Sequence, residues 1–275
     1  MYGNELETGD YMEPRCLLCM DGDGGSPVMI PVERVIDKEE ELLGKNDYEG
    51  AERVLWYWYG EAVSGRDEKG RFSMCNELMG LYRKTGKKDE ALAMAGEALD
   101  IGEKLGISDR VPGATAFINA GTVYKAFGMS AEAVELFEKA RAIYERDLGD
   151  SDARLGGLYN NYALVLADNG DLDGAKELFL KALDVMKKVD QGELEQAVTQ
   201  LNLADLAARR SGGDDTAEIG ERLKAAEELL ETESLVRDGY YAFVCEKCAP
   251  SFIHYGLSDY GAELSRRAEE IYARS

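Results

Sequence analysis

The feature that most constrains this chain is a ruler of 42 residues. Glycines stand at Gly86, Gly128, Gly170 and Gly212, and alanines at Ala91, Ala133, Ala175 and Ala217, each 42 after the last. A second alanine series, Ala98, Ala140 and Ala182, keeps the interval for three units, and Asn76, Asn160 and Asn202 sit ten residues before their glycines. Ile118 interrupts the asparagine series, with Asn119 one residue further on. A fixed period of roughly 20–50 residues marks a solenoid, whose units cannot bury their apolar faces alone and stack to do so.

One unit can be read from Tyr159 to Met186. Tyr159, Tyr162, Ala163 and Leu166 recur at helical spacing and predict an amphipathic helix. Asn169-Gly170 ends it, as expected of a pair tolerant of positive φ. Asp171 or Asp173 can cap the next helix, and Ala175, Leu178, Phe179, Ala182 and Leu183 give it an apolar face. The unit is therefore a helical hairpin, with small alanines where two helix backbones must approach closely.

The pattern Tyr124…Gly128…Ala133…Phe137…Ala140 resembles the tetratricopeptide repeat. The 42-residue period, the long second helix and LYNNYALVLADNGDLDGAKELFLKALDVMKKV look most like the kinesin-light-chain type. The usual period of the superfamily is about 34, and the extra residues lengthen the helices and their connection. The resemblance implies an all-α fold, a right-handed α-solenoid of about six antiparallel helical hairpins. Its regular repeats cover about 68–235, as units 68–109, 110–151, 152–193 and 194–235, with degenerate repeats at both ends. Two regions follow: an acidic N-terminal tail with a CxxC pair over 1–30 and a single solenoid over 31–275.

In the first degenerate hairpin, Val32 to Leu43 and Tyr48 to Val63 are helices, with Asn46 in the glycine slot and Ala51 in the alanine slot. Leu55-Trp56-Tyr57-Trp58-Tyr59 is apolar on all sides, so the second repeat should cover one face and the tail the other, unless a partner or a dimer does. In the fourth regular unit, Ser211-Gly212-Gly213-Asp214-Asp215 lengthens the turn. The last hairpin spans 236–255 and 258–273, and Pro250 should kink or shorten its first helix.

Charge and composition exclude several functions. A net charge of −22, from 54 acidic and 32 basic residues, argues against nucleic acid or an anionic membrane as partner, since both need a positive face. No early apolar run resembles a signal peptide, and no stretch approaches the ~18 apolar residues of a membrane helix, so a cytoplasmic location is expected. With one histidine, no phosphate-cradling loop and no nucleophile elbow, the chain is not expected to be an enzyme. Asp21-Gly22-Asp23-Gly24-Gly25 begins like a calcium loop, but Val32 stands at the twelfth position, where a glutamate is needed.

In the family this chain resembles, the first helices of successive repeats line a concave groove, and asparagines hold the backbone of an extended peptide. Here the residues ten before each turn glycine are Asn76, Ile118, Asn160 and Asn202. A carboxamide donates and accepts, matching a peptide bond without reading its side chains. Four residues on lie Gly80, Thr122, Leu164 and Leu206; seven on, Arg83, Lys125, Ala167 and Arg209; eight on, Lys84, Ala126, Asp168 and Arg210. This wall is basic in the first, second and fourth units and apolar in the third, which suits a ligand with acidic groups flanking an apolar stretch. The competing reading makes the asparagines glue between adjacent first helices and the cations solvated helix ends that complement the helix dipole. Asn119 and Asn161, about 100° around the helix, are expected to bridge neighbouring helices.

Two CxxC pairs stand at opposite ends of the chain, Cys16/Cys19 and Cys245/Cys248. Four thiolates make a tetrahedral Zn²⁺ set, and the chain from Cys19 to Pro31 can reach roughly 40 Å. The second function class is therefore a metal- or thiol-redox-responsive regulator, in which the tail joins the last repeat and occludes the groove. His254 is a candidate replacement ligand. Against this, Cys245 and Cys248 take the packing slots of Tyr159 and Tyr162, where a buried cysteine is a small apolar residue, and Cys75 reads the same way. Two cysteines fill the space of two tyrosines poorly, so something else should occupy the gap.

Overall fold

The computed structural model describes residues 27–274, which hold twelve α-helices and no strand. They pair as hairpins: α1 (Val32–Gly44) with α2 (Tyr48–Ser64), α3 (Glu68–Thr85) with α4 (Lys88–Lys104), and α5 (Val111–Ala126) with α6 (Ser130–Asp147). The series continues with α7 (Ala153–Asp168) and α8 (Leu172–Met186), α9 (Glu193–Ser211) and α10 (Thr216–Leu230), and α11 (Gly239–His254) and α12 (Ser258–Tyr272). Each hairpin packs on the next, and the first helices α1, α3, α5, α7, α9 and α11 also touch one another in that order. These six helices form one continuous wall. The core runs along the array as three adjoining clusters, around Leu55 and Met74, around Phe137 and Phe179, and around Tyr241 and Phe252.

The ruler residues explain the hairpin. Gly86, Gly128, Gly170 and Gly256 hold φ of +74°, +78°, +86° and +88°, and Asn46 holds +56° in the equivalent place. This left-handed residue turns the chain back after each first helix. The residue that follows Asn46 or Gly170 caps the second helix: the carboxylates of Asp47 and Asp171 accept from the amides of Gly50 and Gly174 at 2.8 and 2.9 Å. Four residues beyond the cap, Ala51, Ala91, Ala133 and Ala175 are fully buried between the two helices.

The fourth unit departs from the ruler. Gly212 is followed by a second left-handed glycine, Gly213, and the cap moves to Asp215, two residues later than the period predicts. Ala217 keeps its 42-residue interval but is exposed. Ile219 takes the buried slot, and Ala226 continues the inner alanine series that ends at Ala182 in the sequence. In the last hairpin Gly261 fills that first slot, because a Cβ there would lie 2.5 Å from Ile253 and 2.8 Å from the Ala249 carbonyl.

Pro250 neither ends nor shortens α11, which runs sixteen residues, as long as α5 and α7. Pro250 is exposed, and the backbone bond it forgoes belongs to the equally exposed Glu246. On the aromatic run of α2, Leu55 and Trp58 are buried, and Tyr59 donates to Glu97 at 2.6 Å. Trp56 and Tyr57 remain 41% exposed, although Trp56 Nε1 donates to the Tyr82 hydroxyl at 2.6 Å. Ahead of α1, the Val28 amide donates to the Gly65 carbonyl and the Ile30 amide to the buried Asp67 carboxylate, both at 2.9 Å. This pins the incoming chain to the α2–α3 junction.

Candidate functional site

The asparagines expected on the wall lie on it, half-buried, and bond to one another across helices. Asn119 donates to the Asn76 carbonyl oxygen at 3.0 Å, joining α5 to α3. Asn202 donates to the Asn160 oxygen at 2.9 Å, joining α9 to α7, and Thr199 donates to the same atom at 3.2 Å. Asn76 also donates to the Phe72 carbonyl of its own helix. Part of each amide is thus spent on helix-to-helix contact. The Asn160 amide nitrogen and the Asn202 carbonyl oxygen have no partner among the described residues. Ile118 packs half-buried against the central core cluster, so the second unit presents an apolar rung.

The remaining positions divide. Thr122 turns its hydroxyl to the Asn119 carbonyl, and Leu164 is half-buried. Leu206 is 2% exposed and belongs to the core, with no surface to offer a ligand. The cations are largely engaged. Asp168 is bridged by Lys125 at 3.2 Å and by Arg209 at 3.3 Å, so one carboxylate ties α5, α7 and α9 together. Arg210 pairs with Asp173. Lys84 lies 5.2 Å from the Tyr48 ring centroid, a cation–π distance, and Arg83 is exposed with no ion pair among the described residues.

Two features of the wall were not foreseen. At its α1–α3 end, Glu39 is 4% exposed. Burial, reinforced by the neighbouring Glu77 and Glu40, pushes its carboxyl up to about 8. Glu77 is raised too, by burial and then by Glu40. Nothing in a chain so rich in glutamate distinguishes these from solvated ones. At the other end, α7, α9 and α11, with Met186 of α8, line an open hollow of about 130 Å³. Glu195 and Tyr240 line it, with the Tyr240 hydroxyl donating to Glu195 Oε1 at 2.7 Å. Burial, then this bond, raises the phenol above its ordinary range.

Cys16 and Cys19 lie outside the described residues. Cys245 and Cys248 are buried in the last core cluster. Burial raises both thiols, Cys248 to about 12. One turn earlier on α11, Tyr241 is fully buried and accepts from Arg267 at 3.0 Å through its hydroxyl. Among the described residues no group of three His, Cys, Asp or Glu side chains is placed to hold a metal ion. His254 is exposed, its ring edge-on to Tyr255. No described helix is long and apolar enough to cross a membrane.

Twelve helices stacked as hairpins on a shared inner wall make this an all-α repeat solenoid. Two stretches of it are tetratricopeptide repeats: models of that description match residues 74–146 and 156–189. No curated protein sequence matches it. Among solved structures, BtubC (BKLC) from P. vanneervenii is similar at 21% identity and a TM-score of 0.63, over 72% of this chain and 79% of that one. The nearly identical TPR-like repeats ascribed to a kinesin light chain of Podosopora anserina align at 20% identity and a TM-score of 0.52, over 74% and 96%. Residues 41-end of MamA from Desulfovibrio magneticus RS-1 align at 16% identity and a TM-score of 0.51, over 74% and 97%. These likenesses concern the fold. Repeats of this kind generally mediate protein–protein interaction, and families built from them are generally non-catalytic.

Proposed function

We propose that this chain is a non-catalytic scaffold that holds an extended segment of a partner protein along the wall of first helices. The observation that carries the reading is the row of half-buried carboxamides on α3, α5, α7 and α9, with an amide nitrogen of Asn160 and the carbonyl oxygen of Asn202 left unspent. Half-buried amides with free donor and acceptor capacity match the repeating demand of a peptide backbone. Arg83 and Lys84, exposed at the end of α3, suit an acidic group of the ligand, and Ile118 and Leu164 suit apolar side chains. Lys125 and Arg209 contribute less to recognising acids, because both share the Asp168 carboxylate, which offsets one of their two charges.

The test uses peptides selected from a random dodecapeptide display on the folded protein. Their affinities are measured by fluorescence anisotropy for the natural chain and for Asn160→Leu/Asn202→Leu. Replacing both members of a hydrogen-bonded pair with apolar groups of similar shape is close to neutral for stability, so far-UV circular dichroism should be unchanged. Affinity should fall at least about tenfold, or about 1.4 kcal/mol. Selected peptides that bind both chains equally would refute the wall as the binding surface.

A further inference from the structure

The cavity between α7, α9 and α11 has a cause in the sequence. Thirteen residues before their turn glycines the units carry Ser73, Thr115, Gly157, Thr199 and Phe243. Gly157 alone lacks a side chain there, and a Cβ on it would meet nothing within 4 Å. The missing side chain leaves a hollow beside the Asn160 rung. Its volume of about 130 Å³ admits a side chain rather than a single water, whose share of liquid volume is about 30 Å³.

The lining gives the hollow a chemical character. On one side stand Tyr240 and Phe243 of α11, 50% and 47% exposed, with ring centroids 6.3 Å apart and near-parallel planes. Glu195 also lines it. Its Oε1 accepts from Tyr240, while Oε2 is buried and has no hydrogen-bond partner among the described residues. A buried carboxylate oxygen without a donor is costly, and a charged donor repays more of that cost than a neutral one. Aromatic faces beside it add cation–π attraction and accept the methylene stem of a long side chain. Lys247, exposed on the rim, makes no ion pair among the described residues and suits an acidic or carbonyl group next to such a cation.

We infer that this hollow is a side-chain pocket for a lysine or arginine of the bound segment. The cation pairs with the Glu195 carboxylate, its stem lies against Tyr240 and Phe243, and the adjoining backbone meets Asn160. The inference rests on the groove reading and deepens it. The wall then carries opposite preferences on its two edges, acid-seeking at the C-terminal end of α3 and base-seeking at the N-terminal halves of α9 and α11. A ligand crossing the wall obliquely is bound in one direction only.

The experiment uses the full chain and pools of N-acetylated, C-amidated nonapeptides built from Ala, Leu, Ser and Asn. The central residue is fixed as Lys, Arg, Gln, Glu or Leu, and binding is measured by competition anisotropy. The Lys and Arg pools should bind the natural chain at least about tenfold more tightly than the Gln pool, a difference of about 1.4 kcal/mol. Glu195→Gln keeps the Tyr240 bond and removes the charge, and Gly157→Leu fills the hollow from an open helical position; each should abolish the preference. Circular dichroism checks that both variants remain folded. Pools that bind without preferring cations overturn this inference and leave the groove reading standing, as does a preference undiminished in both variants. Binding by no pool overturns both.

Discussion

The sharpest prediction is that the same substitution, glycine to alanine inside a first helix, has opposite signs at two positions. At Gly121, in α5, an added Cβ would lie 2.6 Å from Phe137 Cε2 and 2.9 Å from Cδ2. Carbon atoms rest at about 3.5–4.0 Å, so the ring must retreat by about 1 Å. It has nowhere to go: Phe137 is fully buried and stacked on Tyr162, with centroids 5.5 Å apart and planes 8° from parallel. Overpacking of this kind costs about 1–3 kcal/mol. Against it stands the gain in helix propensity, about 1 kcal/mol. At Gly157, in α7, the gain is the same and nothing opposes it.

Gly121→Ala should therefore destabilise by about 1 kcal/mol and Gly157→Ala stabilise by about 1 kcal/mol, a separation of about 2 kcal/mol. With a urea slope of about 3 kcal/mol/M, the two midpoints should differ by about 0.7 M. The assay is urea unfolding followed by far-UV circular dichroism, comparing variants whose slopes agree. Phe137→Leu, which removes the ring atoms that collide, should couple favourably with Gly121→Ala by about 1 kcal/mol in a double-mutant cycle. The reasoning is refuted if Gly121→Ala raises the midpoint as Gly157→Ala does, or if the cycle shows no coupling.

Three further predictions rest on other parts of the chain. Gly170→Ala should cost about 1 kcal/mol through its φ of +86°, and Gly170→Asn should recover much of this, since Asn46 holds the same slot; urea midpoints decide it. In a Cys16→Ser/Cys19→Ser background, Cys75, Cys245 and Cys248 should resist a disulfide reagent at pH 8 and react fully in denaturant, because burial raises all three thiols; fast labelling of the folded chain would contradict it. Glu39, raised from the ordinary 4.5 to about 8, holds its proton in the folded chain over a range where the unfolded chain has lost it. Its contribution to stability is complete below about 4.5 and is lost as pH rises through about 8. Glu39→Gln should then be close to neutral at pH 4 and stabilising at pH 9 by at least about 1.4 kcal/mol, the worth of one pKa unit; equal effects at both pH values would overturn the assignment.

The hairpins were legible because their determinants are local and repeated. A residue that must adopt positive φ, a carboxylate that caps, and an alanine where two helices meet each leave a mark at fixed spacing. Even Asn46, in place of glycine, was readable from its distance to Ala51. The slip at Gly212-Gly213 was visible as a longer turn, but its effect was not. Counting kept Ala217 in register, whereas the structure moves the helix start by two residues, exposes Ala217 and buries Ile219 and Ala226. Pro250 does not shorten α11: a proline ends a helix where its lost bond must be made inside the fold, and at an exposed position four residues from the end little is lost.

The wall was harder to read because its chemistry lies between units, not within one. A count along the chain finds Lys125 and Arg209 as cations and Asp168 as the one acid among them. It cannot show that the acid is placed within reach of both, so that three charges close into one bridge, while Arg83 and Lys84 make no ion pair among the described residues. Glu195 is the converse case. One glutamate among many becomes distinctive because Tyr240, 45 residues later, takes one oxygen and the other is buried without a donor among the described residues. The hollow beside it owes its existence to a side chain that Gly157 does not have. A search for candidate residues looks for groups that are present. In a stacked array, an absent side chain in one unit opens space that its neighbours then line, and that lining determines which ligand side chain the space accepts.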